Sequence, residues 1–266
     1  MNRVKAFALA TLLVCAAPAL AKDAPPAKPN PPAAAQPGEA IDEAAQYKHC
    51  VALARQKPED GWEESLAWSS LGGGDPARHC GAIALFGLHQ YEEAAKRLEL
   101  LATESHASPK LRAGMLAQAG QAWLLAKLPE KAYAAQSAAL ALVPGAPDLL
   151  VDRAQSLAEA KNWKLAQADL DKALAAAPNR ADALTFRATA KRYLDDLPGA
   201  AADSAAAIAI DPLYQDAWLE AGMVKRLQNN PNGARQDWLK VLEIAPNSPG
   251  ADMARRNIEM MDLKDK

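Results

Sequence analysis

From Ile41 to the C-terminus, apolar positions fall at helical spacing, and they recur at one fixed step. Pro144, Pro178, Pro212 and Pro246 stand 34 residues apart. Other columns keep the same step. Gly120, Ala154, Ala188 and Gly222 form a small-residue column, and Ala132, Ala166, Ala200 and Ala234 form a second. Ala139, Ala173, Ala207 and Val241 form a third. Leu140, Leu174, Ile208 and Leu242 are apolar throughout, as are Leu116, Leu150, Leu184 and Trp218. Small residues let paired helices approach closely, and the Leu and Ile columns fill the space between units. Each proline sits just past a second helix and stops it, since it lacks an N–H. Asp148, Asp182 and Asp216 recur where the next first helix starts, at the positive end of its dipole. Asn230-Pro231 predicts an N-cap and first helical residue.

These columns resemble the tetratricopeptide-repeat (TPR) family, whose 34-residue unit is a helix–turn–helix. The resemblance implies an all-α, right-handed solenoid of helical hairpins. It places four repeats at 113–146, 147–180, 181–214 and 215–248. An earlier unit at 75–108 matches through Ala82, Tyr91 and Ala94, lacks the closing proline, and stands about four residues out of step. Residues 41–71 read as a degenerate helix pair broken at Lys57-Pro58, so 41–112 is a degenerate N-terminal region. Residues 249–266 carry a capping helix with Ile258 and Met261 on its apolar side. Lys191 and Lys225 depart from a column that is often aromatic in the family and is Trp123 in the first full repeat.

In such solenoids the first helices line a concave side, where partners bind. The family's groove columns map onto Gln121, Gln155, Thr189 and Met223; onto Leu125, Glu159, Tyr193 and Leu227; and onto Leu124, Ala158, Arg192 and Arg226. The candidate partner-binding set is therefore Gln155, Thr189, Arg192, Tyr193, Met223 and Arg226, in which Arg and Tyr are typical hot-spot types. The Lys/Asn/Arg clamp of cytosolic chaperone-binding TPR proteins is missing, because Val151, Gln155, Thr185 and Thr189 occupy corresponding groove positions.

The N-terminus carries a different pattern. Arg3 and Lys5 precede the apolar run Ala6–Ala17, and Ala19-Leu20-Ala21 is a small-x-small cleavage pattern. Residues 1–21 thus read as a signal peptide cut before Lys22, giving a periplasmic or secreted protein. Cys15 raises lipoprotein anchoring as the alternative, against which stands Val14 where a small residue is usual. Residues 22–40 hold six prolines and read as a linker. Cleavage takes the formal net charge from −2 to −4, since residues 1–21 hold two basic and no acidic residues. With no basic stripe, nucleic acid is not an expected partner.

After cleavage two cysteines remain, Cys50 and Cys80, each preceded by a histidine, His49 and His79. In an oxidising compartment they are expected to form one disulfide, with the histidines on the surface. A zinc site is the alternative, but neighbouring residues on one helix point about 100° apart and zinc spacings are absent. Gly72-Gly73-Gly74-Asp75-Pro76 lacks the Lys-Ser/Thr and preceding strand of a phosphate loop, and reads as a loop between helices ending near Leu71 and starting near Pro76. Trp123, Trp163, Trp218 and Trp238 fall in columns that face other helices, whereas the faces of Trp62 and Trp68 are not assigned. No catalytic constellation, cofactor fingerprint or metal set is read. The sequence supports a non-enzymatic periplasmic adaptor that binds a peptide or helix of an envelope protein. A self-associating envelope scaffold is the alternative.

Overall fold

The computed structural model describes residues 42–264; the signal and linker segments lie outside the described residues. Thirteen helices and no strand are found among them. They are α1 Glu43–Gln56, α2 Pro58–Ser70, α3 Gly74–Gly87, α4 Tyr91–Glu104, α5 Pro109–Leu125, α6 Pro129–Leu142, α7 Pro147–Glu159, α8 Trp163–Ala176, α9 Ala181–Tyr193, α10 Leu197–Ile210, α11 Gln215–Leu227, α12 Pro231–Ile244 and α13 Pro249–Lys264. Proline opens α2, α5, α6, α7 and α12 at a position whose N–H has no helical partner. Side-chain oxygens of Asp42, Ser108, Asp196 and Asn230 cap α1, α5, α10 and α12 by accepting backbone N–H groups.

From α5 onward each pair packs more closely within itself than against the next pair. The first helices of these pairs end alike. Lys127, Lys161, Asp195 and Asn229 take φ of 63°, 60°, 66° and 61°. The N–H after each bonds to the carbonyl five residues back, as in Leu128 to Trp123 and Asn162 to Leu157. This left-handed closing turn satisfies carbonyls that the helix end would otherwise leave open.

Two packing columns hold the pairs together, the second of them from α7 onward. In the first, a small residue admits a larger one from the second helix. A Cβ built on Gly120 would lie 2.6 Å from Gln136, and one on Gly222 only 2.3 Å from Trp238. Ala154 and Ala188 hold this place in the middle repeats, and Leu170 and Ser204 hold the facing one. The second column is ionic. Asp169, Asp203 and Asp237 are all buried. Arg153 donates to both oxygens of Asp169 at 2.7 and 2.8 Å. Arg187 does the same to Asp203 at 2.8 Å, with Lys191 also 2.8 Å away. Lys225 pairs with Asp237 at 2.7 Å. Lys191 and Lys225 therefore replace an aromatic contact with a buried ion pair inside the repeat.

The N-terminal helices pack in a different phase: α2 lies more extensively on α3, and α4 on α5, than α1 on α2 or α3 on α4. Gly81 of α3 lets α2 approach, since a Cβ there would lie 2.8 Å from Ser65, and Gly61 of α2 sits as tightly against Ala54 of α1. The Gly-rich loop is shorter than the sequence suggests, with α3 starting at Gly74 rather than near Pro76. Cys50 of α1 and Cys80 of α3 are fully buried at disulfide distance, with Cα atoms 6.1 Å apart. Trp68, Trp123 and Trp238 are core residues. Trp163 and Trp218 are only half-buried, and Trp62 lies half-buried beneath the Arg97 guanidinium.

Candidate functional site

The first helices α7, α9, α11 and α13 each touch the first helix before them, as α3 touches α1. The second helices make no comparable contact with one another. First helices therefore line the tight side of the array. Polar or sulfur contacts link almost every neighbouring pair on that side. Tyr47 of α1 hydrogen-bonds His79 Nδ1 of α3 at 2.7 Å, and His79 Nε2 reaches Gln118 Oε1 of α5 at 2.8 Å. Gln121 of α5 donates to Asp152 of α7 at 2.9 Å. Arg180, which precedes α9, pairs with Asp148 of α7. Arg192 of α9 donates to both oxygens of Glu220 of α11, at 2.6 and 3.1 Å. Asn257 of α13 donates to Met223 Sδ of α11 at 3.3 Å.

These contacts revise the candidate set. Arg192 is not a free contact, because its guanidinium is held by Glu220 and both are largely buried. It also lies 4.5 Å from the centre of the Tyr193 ring. Met223 packs with the Trp238 cluster and Ile258 rather than standing open. Thr189 gives its hydroxyl hydrogen to the Thr185 carbonyl. Tyr193 is 55% exposed and stacks flat on Trp163, ring centres 3.9 Å apart. Gln155 and Arg226 are half-buried, with no side-chain hydrogen bond or ion pair among the described residues. The set thus divides into Tyr193, which is exposed, Gln155 and Arg226, which are half-buried with no side-chain partner among the described residues, and Arg192, Thr189 and Met223, whose side chains are engaged within the array.

His79 is not a surface histidine. Burial pushes its pKa down, against the opposing hydrogen bond to Gln118. A neutral ring satisfies both partners when Tyr47 O–H donates to Nδ1 and Nε2–H donates to Gln118 Oε1. Both ring nitrogens are then occupied, and the sulfurs of Cys50 and Cys80 face each other. Among the described residues no three His, Cys, Asp or Glu gather as metal ligands.

The same contacts floor a cleft of about 720 Å³ between α1, α3 and α5. Its walls are mostly apolar, built from Tyr47, Pro76, Leu111, Gly114 and Met115. Sequence reasoning missed it because the N-terminal units fall outside the repeat phase. Further along the face, burial raises Asp152 from the usual 3.8 to about 6, although the Gln121 amide opposes the shift.

No known family model and no curated protein sequence matches the chain. Solved structures do. The MamA fragment "41-end" from Desulfovibrio magneticus RS-1 aligns over 78% of this chain and 98% of its own, at 20% identity and TM-score 0.52. YrrB, described as a TPR protein with an unusual peptide-binding site, aligns over 71% and 96%, at 21% identity and TM-score 0.50. A second MamA structure aligns over 61% and 93%, at 16% and 0.52. The chain has the TPR fold. At such identities the likeness speaks for the fold alone. Within the TPR array, the first-helix face combines an apolar cleft at one end with outward polar and aromatic side chains along the rest. Such a surface suits reversible docking of a peptide or helix.

Proposed function

We propose that this protein is a non-enzymatic adaptor of the periplasm, or a secreted one, that holds a peptide or helix of an envelope protein along its first-helix face. The carrying observation is that face itself. Its cross-helix contacts fix its shape, while Gln155, Tyr193, Arg226 and the cleft between α1, α3 and α5 remain open. A preorganised surface loses little freedom on binding, which favours affinity. YrrB, the TPR protein described as having a peptide-binding site, supports the reading. The address rests on Arg3, Lys5, the run Ala6–Ala17 and Ala19-Leu20-Ala21, and on a buried cysteine pair suited to an oxidising compartment. No helix among the described residues is long and apolar enough to cross a membrane.

The test is crosslinking in intact cells with the tagged full-length gene product, followed by identification of what co-purifies. The adaptor predicts one dominant envelope protein, lost on changing Tyr193 and Arg226 to Ala, and a recovered chain that begins at Lys22. Recovery of only this protein, crosslinked to itself, contradicts it. That outcome would favour the scaffold, for which α13 offers exposed Met253, Met260 and Leu263. Sedimentation across a hundredfold concentration range then reads the assembly directly.

A further inference from the structure

The cleft between α1, α3 and α5 has walls specific enough to describe its ligand. It holds about 720 Å³, within the roughly 300–1,000 Å³ typical of binding pockets. Leu111 on its wall is 61% exposed, an unusual place for a large apolar side chain facing a cavity. Met115 adds a flexible, polarisable surface that adapts to the shape of a guest. Gly114 opens the space, since a Cβ built there meets nothing within 4 Å.

The charged groups of the cleft stand in the first turns of its three helices. Glu43 of α1 and Asp75 of α3 stand on one side, and Lys110 of α5 stands on the other. Neither Glu43 nor Lys110 has an ion pair among the described residues. Asp75 lies 3.7 Å from Arg78, whose other nitrogen is drawn to Glu104 at 2.6 Å. About two turns further along α5 from Lys110 lies Gln118, also on the cleft wall. Because its oxygen accepts from His79, its amide hydrogens are left to donate elsewhere.

We propose that this cleft docks a peptide segment of the partner through one bulky apolar side chain, set between a basic residue and an acidic one. The apolar side chain enters between Tyr47, Leu111 and Met115. The basic residue lies toward Glu43 and Asp75, and the acidic residue toward Lys110. The Gln118 amide donates to a backbone carbonyl of the guest. This assignment deepens the adaptor reading and rests on it.

The experiment uses the mature protein and fluorescein-labelled twelve-residue synthetic peptides, read by fluorescence anisotropy. One peptide carries Phe between Arg and Glu. A second has Ser in place of Phe, and a third has Glu in place of Arg. The expected result is saturable binding of the first and at least tenfold weaker binding of the second. Gly114→Trp fills the cleft from an open helix position and weakens binding at least tenfold, with no fall in the thermal midpoint. Should that variant fold poorly, Leu111→Glu replaces an exposed side chain and carries the same expectation. Glu43→Lys weakens the first peptide several-fold and recovers the loss with the third. Failure of every peptide to bind, or binding indifferent to both Gly114→Trp and Leu111→Glu, overturns the proposal. Binding that survives both yet is lost with Tyr193→Ala and Arg226→Ala overturns the cleft assignment but leaves the adaptor standing. The adaptor itself is tested separately, by the crosslinking in cells.

Discussion

At the scale of the residue, the array shows where one side chain sets the cost of its neighbour. Gly222 exists for Trp238, whose indole occupies the space a Cβ would need. Gly222→Ala should lower stability by about 1–3 kcal/mol through overpacking. Combining it with Trp238→Leu reproduces the Ala154–Leu170 arrangement two repeats earlier, so the double variant should lose less than the two single losses added together. Thermal unfolding of the four proteins measures that coupling. Gly114 is the opposite case, a mid-helix glycine beside open space, and Gly114→Ala should raise stability by roughly 0.5–1 kcal/mol. Lys161 holds φ of 60° at a closing turn that glycine adopts without strain. Lys161→Gly should move the urea midpoint upward, by about 0.5–1 kcal/mol of stability; a downward shift would show that its side chain supports the turn. This turn was not legible in the sequence, because Lys, Lys, Asp and Asn fill the column where glycine would have announced it.

At the scale of the element, pairs of helices are joined by buried charge as well as by apolar packing. Burial opposes ionisation of Asp203, but Arg187 and Lys191 outweigh it and hold its pKa below the usual value. Its contribution is complete above the ordinary carboxylate range and fades as pH falls through the lowered pKa. Asp152 goes the other way, with burial raising it to about 6. The folded protein then binds a proton that the unfolded chain releases, between pH of roughly 4 and 6. This contribution makes the fold more stable as pH falls from 7 toward 4. Asp152→Asn should stabilise the protein at pH 7.5, on the order of 1–2 kcal/mol, and flatten that slope. Urea unfolding at pH 5 and 7.5 checks both. The 34-residue columns made the helical hairpins legible, since each unit meets the same packing problem with the same residue sizes. The Arg153–Asp169 and Arg187–Asp203 pairs keep the same step and could have been found by it. Arg192–Glu220 joins two repeats at a spacing of 28 residues, off the repeat step, and no column signals it.

At the scale of the whole array, the described helices form one continuous stack, and the proposed docking face is its first-helix side. The family resemblance directed attention to repeats two to four. The apolar cleft between α1, α3 and α5 lies in the N-terminal helices, where the repeat phase is lost and sequence columns give no guide. Those helices are pinned by Cys50 and Cys80, 30 residues apart and fully buried. A disulfide closing a loop of this length contributes about 3–4 kcal/mol in the chain-entropy model. Thiol counting on the unfolded mature protein should find no free thiol before reduction and two after. Cys50→Ala with Cys80→Ala should lower the thermal midpoint and weaken peptide capture at the cleft that α1 and α3 share.

The central claim, that partners dock on the first-helix side, is tested most directly by site-specific photo-crosslinking in cells. One probe replaces Gln155 on that side, and another replaces Leu165, which is 56% exposed on the second helix of the same repeat. The account predicts a discrete adduct with another envelope protein from position 155 and none from position 165. Equal adducts from both positions, or adducts from 165 alone, would contradict it.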